Sequence, residues 1–283
     1  MENRDYQRLM NGGYLNMEGV IPEKPKRGLK RKPPLENSLL LRRFKNLAII
    51  AISVVVLFAA VETGLVNQFR ASNYSTQGME HHNAGRYDEA IAAYTRCLEL
   101  DPENSECYLR RGMSYAWRGN QERAIADYTR AIELEPDNAK YYFWRGTAYA
   151  HKHEQDPAIY NYNRAIELNP KKADYYHWRG MAYAWKKQYD LALADFGRAL
   201  ELDSKRADTY MERGISYAGM GDYEAAIADY DRSIELNPDR ADPYYYRAEA
   251  YRLLDNAAAA RQDYETAAGL GHAGAQQALA THR

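Results

Sequence analysis

The sequence predicts an all-α protein in which one transmembrane helix precedes six stacked helix pairs. Two observations support this fold class. Aromatic, glycine and alanine residues recur every 34 residues over 71–274, and short helical units that cannot bury an apolar face alone must stack on their neighbours. Upstream, residues 47–66 form an apolar stretch whose only charged side chain is Glu62.

The charge of the chain is distributed unevenly. Residues 1–46 hold 11 Lys and Arg against 5 Asp and Glu, whereas residues 71–283 hold 26 basic and 33 acidic side chains. A domain with a net charge of −7 gains nothing from neutralising phosphates, which argues against nucleic-acid binding by the C-terminal part. A short basic segment at one end indicates a membrane or targeting role.

The apolar stretch 47–66 has the length of a membrane-spanning helix. Its 20 residues match the roughly 20 needed to cross about 30 Å of hydrocarbon. Glu62 lies in the last third of the stretch, from which its carboxylate can reach the interface. A buried core helix is the alternative, but the flanking sequences LKRKPP and LLRRFKN disfavour it.

The flanking charges predict the orientation of this helix. Six basic residues precede the apolar stretch, and only Arg70 follows it closely; the six are Lys30, Arg31, Lys32, Arg42, Arg43 and Lys45. The positive-inside rule therefore predicts a single-pass signal-anchor with a cytoplasmic N-terminus and an extracytoplasmic C-terminal domain. The charge pattern and the style of the repeats favour the inner (plasma) membrane of a bacterium, which would place the C-terminal domain in the periplasm. A cleaved signal peptide is the alternative, for which the leader is too long. The leader 1–46, rich in charge and helix breakers, is predicted to be disordered.

The 34-residue period aligns whole columns of residues. Three aromatic columns and two columns of small residues run through the units, and Pro102, Pro136, Pro170 and Pro238 close four of them. One aromatic column is Tyr74, Tyr108, Tyr142, Tyr176, Tyr210 and Tyr244, and one small column is Gly78, Gly112, Gly146, Gly180, Gly214 and Ala248. The predicted units are 71–104, 105–138, 139–172, 173–206, 207–240 and 241–274, followed by a capping segment at 275–283.

This pattern resembles the tetratricopeptide repeat, in which an aromatic residue, a glycine, a second aromatic, an alanine, a third aromatic and a proline follow in order. The resemblance implies a right-handed α-solenoid in which each unit is a helix-turn-helix. The apolar spacing in residues 105–138 independently indicates two amphipathic helices ended by Gly119 and Pro136.

One departure from the repeat pattern is regular. Where the family usually has Leu before the glycine, this chain has Arg111, Arg145, Arg179, Arg213 and Arg247. Sixteen residues after each arginine stands a carboxylate or an amide: Asp127, Asn161, Asp195, Asp229 and Asp263. The first unit lacks both members. Their joint presence and absence predict an Arg–carboxylate pair between the two helices of a unit.

Most of the remaining chemistry-bearing residues have a packing explanation. Sixteen of the 26 tyrosines fall in the aromatic columns. His151 and His153 are two apart, so on a helix they point in different directions and make a poor metal site. Cys97 shares its column with alanines, which indicates packing; a disulfide with Cys107 is the alternative in an oxidising compartment. No motif for catalysis, cofactor or metal binding is found, so a non-enzymatic protein is predicted.

In the family that the pattern resembles, the first helix of each unit lines a concave groove that receives ligands. The resemblance implies that the groove is lined by Leu109, Met113, Trp117, Phe143, Trp144, His177, Trp178, Met181, Trp185, Met211 and Tyr245. These include all four tryptophans, and aromatic side chains are typical of binding hot spots. Filling the gaps between units is the alternative role for each Trp. The Lys and Asn of the family's chaperone-tail clamp are absent.

The function predicted from these observations is a membrane-anchored scaffold or adaptor that binds a partner protein or peptide in the groove. Two alternatives stay open. One is a permanent structural subunit of a larger membrane complex. The other is a carrier of carbohydrate or lipid-linked intermediates, for which stacked Trp side chains and acidic groove edges are suitable.

Overall fold

The computed structural model describes residues 35–281, which contain thirteen α-helices and no strand. This confirms the predicted all-α fold. The helices are α1 (Leu35–Asn83), α2 (Tyr87–Leu100), α3 (Ser105–Trp117), α4 (Gln121–Leu134), α5 (Ala139–His151), α6 (Gln155–Leu168), α7 (Ala173–Trp185), α8 (Tyr189–Leu202), α9 (Ala207–Met220), α10 (Tyr223–Leu236), α11 (Ala241–Leu253), α12 (Ala257–Gly269) and α13 (Ala273–Thr281).

The chain divides into two compact units, residues 1–60 and 61–283. In the first unit, the described residues form the N-terminal part of α1. Its apolar side chains are exposed, as Leu47 and Val55 are at 61% and 67%. Within the described part of the chain, α1 is the one helix long and apolar enough to cross a membrane, by length and composition.

The helix begins earlier than the leader boundary predicted. Residues 35–46 are helical, so the predicted disordered leader does not extend to residue 46. Residues 1–34 lie outside the described residues, and disorder there stays a prediction. The helix also continues without a break from residue 67 to Asn83, where the sequence offers no proline to stop it.

The second unit is a solenoid of helix pairs. The end of α1 pairs with α2, and the following pairs are α3–α4, α5–α6, α7–α8, α9–α10 and α11–α12, with α13 packed on α12. The first helices also contact each other from unit to unit: α3 with α5, α5 with α7, α7 with α9 and α9 with α11. Such contacts place the first helices together along one side of the stack, which becomes its inner layer.

Small residues allow the two helices of a unit to approach closely. At Gly112 on α3, an added Cβ would lie 2.7 Å from Cε1 of Tyr128 on α4, and the Tyr128 side chain is completely buried. The first helices end at residues with positive φ; these are glycines in the first, second and fifth pairs and His153, Lys187 and Asp255 in the others. The residue at this turn adopts the left-handed conformation even without glycine.

The predicted pairs between the helices of a unit are confirmed. Arg111, Arg179, Arg213 and Arg247 each form an ion pair with the aspartate sixteen residues later, and Arg145 donates to Asn161 Oδ1 at 2.8 Å. Four of the five arginines also donate through Nη1 to a residue sixteen positions earlier, on the preceding unit; these residues are Thr95, Thr129, Asn163 and Asp231. The arginines therefore join three helices, a role that the sequence analysis did not predict.

A disulfide joins Cys97 on α2 to Cys107 on α3. Both side chains are fully buried, and the bond closes the loop between the first and second helix pairs. The first pair contains the C-terminal part of α1, so the cross-link fastens that pair covalently to the next one.

Candidate functional site

The inner surface of the solenoid is formed by side chains that repeat at one register on the first helices. Trp144 and Trp178 are partly exposed at this register on α5 and α7. Three residues later on α3 and α7, Met113 and Met181 are also partly exposed. Met113 and Trp144 pack against one core cluster and Trp178 against the next, and their role as the apolar central part of a groove stays a prediction.

Neighbouring rings fix the orientation of this central part. Phe143 lies edge-on to Trp144, with ring centroids 5.4 Å apart, and packs on Tyr175 of the next unit at 5.0 Å. Phe143 is also partly exposed. The groove surface here is therefore supported by an aromatic layer beneath it, which limits side-chain rearrangement on binding.

Three of the predicted groove residues are not available to a ligand. Leu109, His177 and Met211 are exposed by only 5%, 6% and 5%, so their assignment to the groove surface was wrong. All three stand at one position of the repeat, one residue before the register of the tryptophans; Phe143 and Tyr245 share that position but are partly exposed, so burial there differs from unit to unit.

His177 is a neutral core residue. Its Nδ1 lies 2.9 Å from Oγ1 of Thr209, and its ring packs against Phe196 at 5.9 Å. Burial, reinforced by the charge of Arg206, lowers the pKa of His177 to about 4. A protonated imidazole is costly in this setting, so His177 stabilises the packing beneath the groove and supplies it with no charge near neutral pH.

The other two tryptophans lie at the rim. Trp117 and Trp185 are 64% and 67% exposed and are the last residues of α3 and α7. Trp117 stacks on Tyr87 with ring centroids 6.2 Å apart and planes 10° apart. This position, beside the turn to the second helix, lies seven residues after the register of Trp144 and Trp178, which is about two helical turns along the helix.

The C-terminal end of the groove is aromatic and acidic. Tyr245, which is partly exposed, stacks on His272 with ring centroids 4.1 Å apart. Tyr246 beside it stacks on Tyr230 at 6.1 Å. Glu212 and Tyr246 occupy the register of Trp144 and Trp178, and the sequence analysis missed both. The 34-residue register was the signal that could have found them.

The site offers shape and surface chemistry for binding. In residues 35–281, no group of three or more His, Cys, Asp and Glu side chains is placed to hold a metal ion. Some polar groups at the starts of the inner helices form ion pairs between units, such as Asp174 with Arg206 and Asp208 with Arg240.

Solved structures with the same fold support this description. MamA is 27% identical over 61% of this chain and 94% of its own, with a TM-score of 0.54. YrrB, described as a TPR protein with an unusual peptide-binding site, is 24% identical over 66% of this chain and 97% of its own, with a TM-score of 0.55. PilW, a type IV pilus biogenesis factor, is 19% identical over 74% of this chain and 97% of its own, with a TM-score of 0.68.

The sequence itself matches models of one family. Models described as tetratricopeptide repeat match residues 72–104, 173–206, 207–240 and 229–262, and a TPR repeat model matches 112–152 and 146–187. No curated protein sequence matches the chain. The family matches cover most of the solenoid whose helix pairs and inner surface are described above, and the chain therefore belongs to the tetratricopeptide repeat family.

Proposed function

We propose that this protein is a membrane-anchored, non-enzymatic scaffold that holds a partner protein or peptide in the groove of its repeat domain. The observation that carries the proposal is the group of large, partly exposed apolar side chains on the inner helices: Met113, Trp144, Trp178 and Met181. Met113, Trp144 and Trp178 pack on one side against the core, yet each of the four side chains is partly exposed, so apolar surface is left open to a ligand. Aromatic side chains in a concave, preformed setting are typical binding hot spots.

A peptide is the partner class that this groove suits best. Extended peptides fit the length of a solenoid surface, and apolar side chains of a peptide would pack against Trp144, Trp178 and the two methionines. The related fold of YrrB carries a peptide-binding site according to its description, so a stack of this kind is compatible with that use.

The anchor and its orientation are part of the proposal. Residues 47–66 would cross the membrane, with the N-terminus in the cytoplasm and the repeats outside it, in the periplasm of a bacterium. The Cys97–Cys107 disulfide supports this side for the repeats, because disulfides persist in oxidising compartments and are rare in the cytosol.

Crosslinking in intact membranes tests the groove. The full-length protein is compared with a Trp144→Ala/Trp178→Ala variant and with a Tyr160→Ala control. Tyr160 is 64% exposed on the outer helix α6, so its loss removes an exposed aromatic ring away from the groove. We expect a protein captured by the wild type and by the control, and lost with the double variant.

The other outcomes separate the alternatives. Capture by all three forms would indicate a permanent subunit held through the membrane helix or the outer face. If none of the three captures a protein, the scaffold function is wrong and a carrier of small intermediates becomes the better hypothesis. Proteinase K added to spheroplasts tests the topology: digestion of the repeats is expected, and their protection would contradict the proposed orientation.

A further inference from the structure

Glu212 on α9 is a carboxylate without a counter-charge in the groove. It is partly buried, and among residues 35–281 it has no ion pair and its carboxylate accepts no hydrogen bond. The nearby acidic residues differ in this respect. Asp174 pairs with Arg206 at 2.8 Å, Asp242 pairs with Arg240 at 3.1 Å, and Asp208 pairs with Arg240 as well.

Helices α10 and α11, two of the four helices that contact α9, place one acidic group and two phenol rings near Glu212. Asp242 at the start of α11 repels the Glu212 carboxylate, and this repulsion, added to the larger effect of burial, raises the pKa of Glu212. Burial is the main cause of the raised pKa of Tyr246 on α11 and of Tyr230 on α10, and the charge of Glu212 adds to the rise at both phenols. None of these groups is a cation.

Aromatic rings flank Glu212 along the groove. Trp178 stands at the same register one unit earlier and Tyr246 one unit later. Since α9 contacts both α7 and α11, the three side chains follow one another along the inner layer. Tyr246 is held by its stacking on Tyr230, and Trp178 by its edge-on contact with His177, whose centroid is 5.9 Å away.

An aromatic, carboxylate, aromatic sequence is complementary to one kind of side chain. A guanidinium or ammonium group placed over Glu212 would supply the missing counter-charge and would also gain attraction from the faces of Trp178 and Tyr246. Arginine is favoured over lysine, because its planar group binds a carboxylate through two hydrogen bonds and stacks on rings. An acidic or neutral side chain would leave the carboxylate uncompensated.

We propose that Glu212, flanked by Trp178 and Tyr246, is the docking position for a basic side chain, arginine before lysine, in the peptide that the groove holds. The proposal rests on the proposed function and specifies its ligand. The bound peptide would place apolar side chains on Trp144 and Met181 and a basic residue toward α9 and α11, so the position of the basic residue also fixes the register of the peptide.

A peptide array tests this specificity with the full-length protein in nanodiscs. The probes are 12-residue peptides composed of Ala, Leu, Ser, Trp and Tyr, each made with Arg, Lys, citrulline or Glu at the centre. Citrulline keeps the shape of arginine without its charge. Among peptides that bind, we expect the Arg form to bind at least tenfold more tightly than the citrulline form, with Lys between them.

The decisive variant is Glu212→Gln, which keeps the size of the side chain. We expect it to reduce the preference for Arg over citrulline to less than twofold. The control Glu224→Gln removes the same charge from an exposed residue of α10 and should keep the preference. Thermal unfolding of both variants verifies that they are folded.

Failure of this inference and of the proposed function give different results. If the wild type binds peptides that Trp144→Ala/Trp178→Ala loses, yet does not prefer Arg to citrulline, the groove function stands and the basic-residue position is wrong. A preference that persists in Glu212→Gln also overturns the position. If the wild type binds no peptide on the array, the peptide-binding function and this inference fail together.

Discussion

The guanidinium of Arg213 holds the carboxylate of Asp229 through two parallel hydrogen bonds, Nε to Oδ2 and Nη2 to Oδ1, both 2.7 Å long. The Asp229 side chain is only 8% exposed and that of Arg213 is 23% exposed. A pair this far removed from water gains little net stability over apolar residues, but it fixes how the first helix docks on the second. The same geometry recurs in three other units.

A double-mutant cycle on Arg213 and Asp229 should show strong coupling. Each single change, Arg213→Leu or Asp229→Leu, leaves the other charge partly buried without its partner and should lower the free energy of unfolding by about 3 kcal/mol. The double variant should lose much less than the sum of the two, because no charge is left unpaired. Urea unfolding of the four proteins measures the coupling. Additive losses would show that the pair does not act as a unit.

Gly197 leaves Arg213 with one contact fewer than its equivalents. Gly197 lies sixteen residues before Arg213. The residues sixteen positions before the other four arginines each accept a hydrogen bond from their own arginine; they are Thr95, Thr129, Asn163 and Asp231. Gly197→Thr should supply that acceptor and raise the free energy of unfolding by about 1 kcal/mol. In an Arg213→Leu background this gain should shrink. The control Gly197→Ala improves helix propensity alone and should raise the free energy of unfolding equally in both backgrounds. If Gly197→Thr stabilises the protein equally with and without Arg213, the new hydrogen bond does not form.

Two glycine-to-alanine changes should have opposite effects on the stability of the repeat domain. Gly112→Ala would place Cβ 2.7 Å from the buried Tyr128 ring, and overpacking of this kind costs about 1–3 kcal/mol. Gly197→Ala meets no atom within 4 Å and should stabilise helix α8 by up to about 1 kcal/mol. Melting temperatures measured side by side test the pair. Equal effects would mean that the glycine column does not reflect close helix approach.

The sequence predicted the fold well because both partners of each main contact repeat. A glycine with a facing aromatic residue occurs in every unit except the last, which has Ala248, and an arginine with its aspartate occurs in every unit from the second onward except for the one with Asn161. A constant separation of sixteen residues between Arg and Asp was enough to predict the pair between the helices. The second contact, which four of the five arginines make, was harder to foresee, since its acceptor is Thr, Asn or Asp and Arg213 faces Gly197 instead.

The groove was less predictable from the same register. A position on a helix gives the direction of a side chain, but not the distance to the next unit, and so Leu109, His177 and Met211 were expected at the surface and are buried. Glu212 was not predicted, because large apolar residues are the usual signal for a binding surface. Its significance depends on the absence of a counter-charge among its neighbours, which is a property of the folded chain.

Reduction of the disulfide should destabilise the first two helix pairs. Closing the short loop between Cys97 and Cys107 lowers the entropy of the unfolded chain. On the entropic model this raises the free energy of unfolding by about 2–3 kcal/mol. We expect reductant to lower the melting temperature and to increase the mass of the intact protein by two hydrogens. A Cys97→Ala/Cys107→Ser variant should melt at a lower temperature and be insensitive to reductant. An unchanged mass after reduction would show that the bond does not form.

His177 should make the stability of the repeat domain depend on pH. Its pKa is lowered from 6.5 to about 4 in the folded protein, so between these values the unfolded state binds more protons and folding is penalised as the pH falls. The neutral His177 makes its full contribution to the free energy of unfolding above pH 6.5, and this contribution is lost by about pH 4. The free energy of unfolding changes by about 3 kcal/mol over this range. Burial is the main cause of the lowered pKa of His177; the charge of Arg206 lowers it further and that of Asp174 opposes the shift.

Urea unfolding across this pH range should therefore show a shallower pH dependence for His177→Gln, whereas the exposed control His151→Gln should follow the wild type. Identical slopes for wild type and His177→Gln would mean that the buried imidazole does not resist protonation, and that another group governs the acid response.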